Sequence, residues 1–153
     1  MNKISKLLYF FLALIFFIVL NACVSNAIIN TRQIIAGNSF FDIIFVQNTG
    51  AAFSILENAP LLLIIFAFVA IALIFIYGIK NIEKFSTIAV FYAAILISGI
   101  SCNLYERIAY GYVRDFIKLN FINFPVFNIS DIFINIGVIA LIIIILKNKY
   151  LKK

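Results

Sequence analysis

The sequence predicts an α-helical membrane protein, with four transmembrane helices and a small strand-rich region on the outer face. Three observations carry that prediction. The chain has 153 residues, 65% of them hydrophobic and 12% charged, with a mean hydropathy of +1.17; a water-soluble domain of this size cannot hide so much apolar surface, so the solvent is lipid. Four windows, 7–25, 60–79, 86–104 and 129–146, reach the length of about 20 mostly apolar residues that a spanning helix needs. The charge is also lopsided. Lys3, Lys6, Lys80, Lys84, Lys147, Lys149, Lys152 and Lys153 lie at the two termini or between the second and third spans, opposed there only by Glu83. The other two connections carry Arg32, Arg107, Arg114 and Lys118 against Asp42, Glu57, Glu106, Asp115 and Asp131. Basic connections stay in the cytoplasm, so both termini are expected there and both longer connections outside. Residues 1–153 form one integral membrane domain on this reading.

Each element has its own signature. The start, "MNKISKLLYFFLALIFFIVLNAC", reads either as a retained first span or as a lipoprotein signal peptide cleaved ahead of Cys23. Asn21 is bulky and polar for a cleavage site, which favours the retained span. In the first outer connection, 26–59, the aromatic and β-branched run Phe40–Val46 suits a short strand near the membrane surface. "QNTGAAF" ends it: Asn48 and Gly50 permit a tight turn, and Ala51 and Ala52 allow close backbone approach. Asn58 as a cap and Pro60 in the first turn open the second span. "YGIKNIEKFS" is a short basic turn that makes the second and third spans antiparallel neighbours. The second outer connection is expected from Tyr105 to Asn128, as strand-like pieces broken at Gly111 and Pro125, with tyrosines at the interface.

The chemistry open to this chain is narrow. There is no histidine, which removes the commonest general base and every Ser-His-Asp or Cys-His arrangement. Cys23 and Cys102 sit at outer span ends and could pair as a disulfide, but no metal-ligand spacing occurs, and no metal or cofactor is expected. The lysines flank apolar spans without an aromatic platform, so nucleic acid is not an expected partner. Carboxylates are left. Asp131 stands at the head of an apolar run that continues to Leu146 with Asn135 as its only polar side chain, and an ionised group at the centre of a span costs about 2.5–3.5 kcal/mol.

Topology brings a second acid near it. The third span exits and the fourth enters on the same side, so Asp115 and Asp131 share one membrane face. Two acids in a low-dielectric site cannot easily both ionise, which leaves an acid and a carboxylate side by side. Such a pair can activate water with one member and polarise a carbonyl with the other. Taken singly, Asp131 could merely cap its helix and Asp115 could be a solvated loop charge. A proton-coupled transporter would spread its acids across membrane depth instead.

Three motifs add to this. "NTGAAFS" (48–54), "NLYERIAYGYVRDF" (103–116) and "FPVFNISDIFINIGV" (124–138) together resemble the bacterial lipoprotein signal peptidases, the signal peptidase II family. The resemblance extends over essentially the whole chain in order and spacing. It implies a multi-pass aspartic endopeptidase of the bacterial inner membrane, cleaving prolipoprotein signal peptides just before a cysteine that carries diacylglycerol. It assigns Asp115 and Asp131 as catalytic, and Asn48, Gly50, Asn103, Arg107 and Asn128 as substrate-binding or supporting residues. The implied partners are these precursors and membrane lipids, with the enzyme a monomer. Several positions depart from the family pattern: Asn21, Ala22 and Ser25 replace a more polar first-span motif, Cys102 a glycine, Glu106 an aspartate and Ser130 an alanine. A catalytically inactive homologue that binds lipoprotein precursors is therefore the alternative.

Overall fold

The computed structural model describes residues 1–30, 39–50, 56–57 and 59–150. Four helices long and apolar enough to cross a membrane make up most of it. In chain order the elements are α1 (Lys3–Asn30), β1 (Phe41–Asn48), α2 (Pro60–Asn81), α3 (Thr87–Tyr110), β2 (Val113–Leu119) and α4 (Ile129–Tyr150).

Helix α3 is the spine. It packs against α1, α2, α4 and β2, and it is the most buried of the four, whereas α2 buries no residue at all. Phe10 and Ala13 of α1 meet Val90, Ala94 and Ile97 of α3 in a core at the end that carries the termini. Apolar side chains elsewhere face outward, as they must where lipid is the solvent and helix association rests on close packing. That closeness is greatest between α3 and α4. A Cβ on Gly99 would lie 2.5 Å from the Ser130 carbonyl oxygen, and one on Gly137 would lie 2.6 Å from Leu96 Cβ.

The helix ends explain where the chain turns. Ser86 caps α3 by accepting from the Ala89 N–H at 3.1 Å. The turn between α2 and α3 is held by Lys6, a buried lysine whose Nζ donates to the carbonyls of Ile82 (3.1 Å), Glu83 (3.0 Å) and Phe85 (2.6 Å). Before α2, Ala59 occupies the cap position without a side-chain bond and Pro60 opens the helix; Asn58, the expected cap, lies outside the described residues. Helix α3 also runs on to Tyr110, past Tyr105, where the outer connection was expected to begin. Its last turns turn Glu106 and Arg107 inward, and it stops only where Gly111 adopts a left-handed φ of 82°.

Beyond Gly111 the strand expectation holds. Strands β1 and β2 pair antiparallel, with Asp42 opposite Lys118 and Asn48 opposite Val113. The register slips by one residue between Ile43 and Val46, a bulge that changes which β1 residues face the bundle beside Asp115. The chain then returns alongside β2: Phe127 accepts from Ile117 N–H at 2.8 Å and donates to the Ile117 carbonyl at 3.0 Å. That bridge delivers Asn128 to the start of α4.

Gly137→Val should force α3 and α4 apart and cost about 1–3 kcal/mol. Gly78→Ala, where an added Cβ meets nothing within 4 Å, should be neutral or stabilising by up to about 1 kcal/mol. Thermal unfolding of both variants in one detergent tests the pair.

Candidate active site

Asp115 sits in the middle of β2 and is only 1% exposed. Asp131 lies in the first turn of α4. Neither carboxylate is bare. Asp115 Oδ2 accepts from Asn48 Nδ2 at 2.8 Å, and its Oδ1 accepts from Asn128 Nδ2 at 2.7 Å. Asp131 Oδ1 accepts from Asn103 Nδ2 at 2.8 Å, while its Oδ2 accepts from the Asn128 backbone N–H at 3.1 Å. Asn128 Nδ2 lies 3.1 Å from Asn103 Oδ1, so the two acids are joined through two asparagine side chains. Asn128 Oδ1 in turn accepts from the Asp131 N–H at 3.0 Å. Asn128 and Asp131 thus form a reciprocal capping box, and the helix-cap role of Asp131 coexists with its place in the acid pair. A solvated loop charge is not what the structure shows for Asp115.

Two further candidates hold the opposite wall. Gly50 N–H donates to Asn48 Oδ1 at 2.9 Å, which turns the Asn48 amide nitrogen towards Asp115. Arg107 Nη2 donates to the Gly50 carbonyl at 2.8 Å and Nη1 to the Asn103 carbonyl at 3.4 Å. Its buried Nε has no partner among the described residues. Ala51 and Ala52 lie outside those residues. All seven candidate residues are therefore placed in one hydrogen-bonded assembly, drawn from β1, the bend after it, α3, β2, the residue that precedes α4, and α4 itself.

Sequence reasoning missed the brace behind it. Glu106, buried in α3, receives Arg114 Nη2 at 2.7 Å, Arg114 Nε at 2.9 Å and the Arg114 backbone N–H at 2.7 Å. The guanidinium also lies 4.9 Å from the centre of the Tyr110 ring. Arg114 therefore anchors the start of β2 on one side of the strand while Asp115 enters the site on the other. An acid and an arginine eight residues apart, straddling Gly111, was the available signal. Cys23 and Cys102 are both free, so the possible disulfide is not formed. No metal-binding cluster of His, Cys, Asp and Glu occurs among the described residues.

The electrostatics follow from the burial. Burial pushes the Asp115 carboxyl up to about 7, and the charge of Asp131 adds to this; the hydrogen bonds from Asn48 and Asn128 and the charge of Arg107 oppose it. The acids open on a cavity of about 570 Å³, lined also by Asn48, Asn103, Arg107 and Asn135 and otherwise by apolar side chains, among them Ile122, Phe124 and Phe127 from the segment before α4. A titratable acid, a second carboxylate and an apolar trough beside them can bind an apolar substrate segment and move protons at its polar edge.

Four spanning helices with an acid pair held by asparagines beside a two-stranded sheet define an integral membrane protein with a polar site at one end of its bundle. The chain belongs to the signal peptidase (SPase) II family, whose model matches residues 7–147. It is 38% identical over 109 residues to the lipoprotein signal peptidase of Streptococcus thermophilus, covering 71% of each chain. It is 38% identical over 119 residues to that of Clostridium tetani, covering 76% of each. A solved bacterial membrane enzyme superposes with a TM-score of 0.83 at 28% identity, covering 94% of this chain and 91% of that one. The protein is accordingly a multi-pass bacterial membrane protein of a peptidase family that removes lipoprotein signal peptides.

The raised Asp115 carboxyl makes stability fall as pH rises. The unfolded chain loses that proton near about pH 4, the folded chain near about 7, so between them the unfolded state binds fewer protons and is favoured. The difference in Tm between wild type and Asp115→Asn should carry this slope between about pH 4 and 7. Asn48→Ala, which removes a bond that favours the ionised form, should move its upper end to higher pH.

Proposed function

We propose that this chain is an aspartic endopeptidase that cleaves prolipoproteins just before the diacylglyceryl-modified cysteine, with Asp115 and Asp131 as its catalytic pair. The observation that carries the proposal is the asparagine bridge, which holds the buried Asp115 and the half-buried Asp131 together at the mouth of a largely apolar cavity. Asp115, whose raised carboxyl keeps its proton up to about pH 7, carries the shared proton. Water between the acids gives a proton to Asp131 as its oxygen attacks the scissile carbonyl, and Asp115 protonates the carbonyl oxygen. The tetrahedral intermediate then collapses: the C–N bond breaks, Asp131 passes its proton to the leaving amine, and a hydroxyl of the intermediate returns a proton to Asp115 as the C=O bond re-forms. Asn48, Asn103, Asn128, Gly50 and Arg107 hold the pair and meet the substrate main chain.

The lysine-rich end of the bundle, with both termini, lies in the cytoplasm, and the acid pair opens at the outer face of the inner membrane. That placement suits a substrate whose signal helix enters from the cytoplasmic side and whose acyl chains stay in the outer leaflet. Burying those chains contributes about 0.8 kcal/mol per CH₂ to binding. Every residue of the assembly comes from one chain, so a monomer made of a single domain over residues 1–153 suffices.

Asp115→Asn and Asp131→Asn should each lower cleavage of a diacylglyceryl-modified prolipopeptide by at least about 100-fold while leaving the protein in the membrane, as read by gel shift in proteoliposomes. Binding without turnover by the wild type would instead identify an inactive precursor-binding homologue. Cleavage should also decline above about pH 7, as Asp115 loses its proton.

A further inference from the structure

Asn135 is the only polar side chain in the apolar run of α4 below Asp131, and the mechanism above gives it no task. It stands one turn from Asp131, about 6 Å further along the helix at about 1.5 Å per residue. Both residues line the same cavity. Asn135 Nδ2 donates to the Asp131 carbonyl at 2.8 Å. Facing a carbonyl, that amide end must be the nitrogen. Asn135 is exposed, open to the cavity, and its Oδ1 acceptor and second N–H have no hydrogen-bond partner among the described residues. Around them the wall is apolar, with Ile132, Ile136, Ile139 and Phe124. A leucine would suit that wall better if packing were the only requirement.

We propose that Asn135 is a positioning residue that hydrogen-bonds the substrate main chain about two residues before the scissile bond, a role that rests on the peptidase reading above. The signal segment runs outward from the cytoplasm, so residues preceding the bond lie deeper than the acid pair, as Asn135 does. An extended chain advances about 3.3 Å per residue, and 6 Å is about two residues. The segment around the bond must be unwound to present its carbonyl, which strips its N–H and C=O groups of helical partners. In apolar surroundings each such group is costly if left unmet. The free acceptor and donor of Asn135 match the N–H and C=O of one extended residue. Because the contact reads main chain, it supports many precursor sequences alike.

The test uses the full-length protein in lipid nanodiscs with a diacylglyceryl-modified prolipopeptide. Matched analogues carry an ester in place of the amide whose N–H belongs to the second or the third residue before the cysteine. Wild type should lose about tenfold in kcat/KM on one of these esters. Asn135→Leu should lose about tenfold on the parent peptide, mainly through KM, with Tm unchanged or higher, and lose nothing more on that ester. Wild-type rates from Asn135→Leu, or losses that multiply when variant and ester are combined, would overturn the positioning role while leaving the peptidase standing. A wild type that binds the parent peptide without cutting it would overturn the peptidase reading, and this role with it.

Discussion

A carboxylate taken out of water must have its oxygens met by donors, and the choice of donor decides what the acid can do. Here the direct donors are neutral. Asn48 and Asn128 meet Asp115, and Asn103 and the Asn128 backbone meet Asp131. An ammonium or guanidinium in those places would fix both acids in their ionised form. Arg107 is near enough to temper Asp115, yet its guanidinium bonds go to the carbonyls of Gly50 and Asn103 rather than to a carboxylate. Amide donors satisfy the lone pairs while leaving a proton free to move. Asn128 is the node, since its side chain touches Asp115, Asn103 and the Asp131 N–H, and its backbone N–H meets the Asp131 carboxylate.

Placing that node is the work of the fold. Helix α3 supplies Asn103 and Arg107 from its last turns and, through Glu106, the anchor for β2. Helix α4 can bring Asp131 to Asn103 only because Gly99 lets the Ser130 backbone approach α3 and Gly137 lets Leu96 approach α4. Strand β2 brings Asp115, and the Phe127 bridge to Ile117 sets the following residue in line with it. Buried polar groups at the edge of hydrocarbon are costly when half satisfied. The packing that closes the network is therefore as much a condition of the chemistry as the acids are.

The sequence made some of this plain and hid the rest for physical reasons. The four spans were legible because the length and polarity limits of a bilayer are severe, and the strand expected over Phe40–Val46, found at Phe41–Asn48, was legible from its β-branched and aromatic side chains. The end of α3 was not. "YERIAY" lacks a clean apolar period because Glu106 and Arg107 face a polar site, so a true helical segment resembles an interfacial loop until Gly111 ends it. Asp115 and Asp131 were marked out by topology, whereas Asn48, Asn103, Asn128 and Arg107 came only from motif resemblance. An asparagine carries no local sign of which amide partner it will find. Glu106 with Arg114 escaped notice because a buried ion pair and two surface charges are spelled the same way.

The positions that depart from the family pattern bear on whether such a site can work. Asn21 of α1 and Ser130 of α4 are both buried, and Ser130 Oγ donates to Asn21 Oδ1 at 3.0 Å. The Cys102 thiol sits against both. Three departures scattered over 109 residues of sequence thus meet at one point, directly behind Asp131. Alone, each would introduce a buried polar group with an unmet partner. Together, Ser130 and Asn21 supply the partner that the other needs, and α1 gains a polar tie to the first turn of α4. Glu106, likewise, accepts every bond that Arg114 offers it at 2.9 Å or less. Ser130, Asn21 and Glu106 thus brace the acid pair from behind, and every carboxylate oxygen of the pair has a donor.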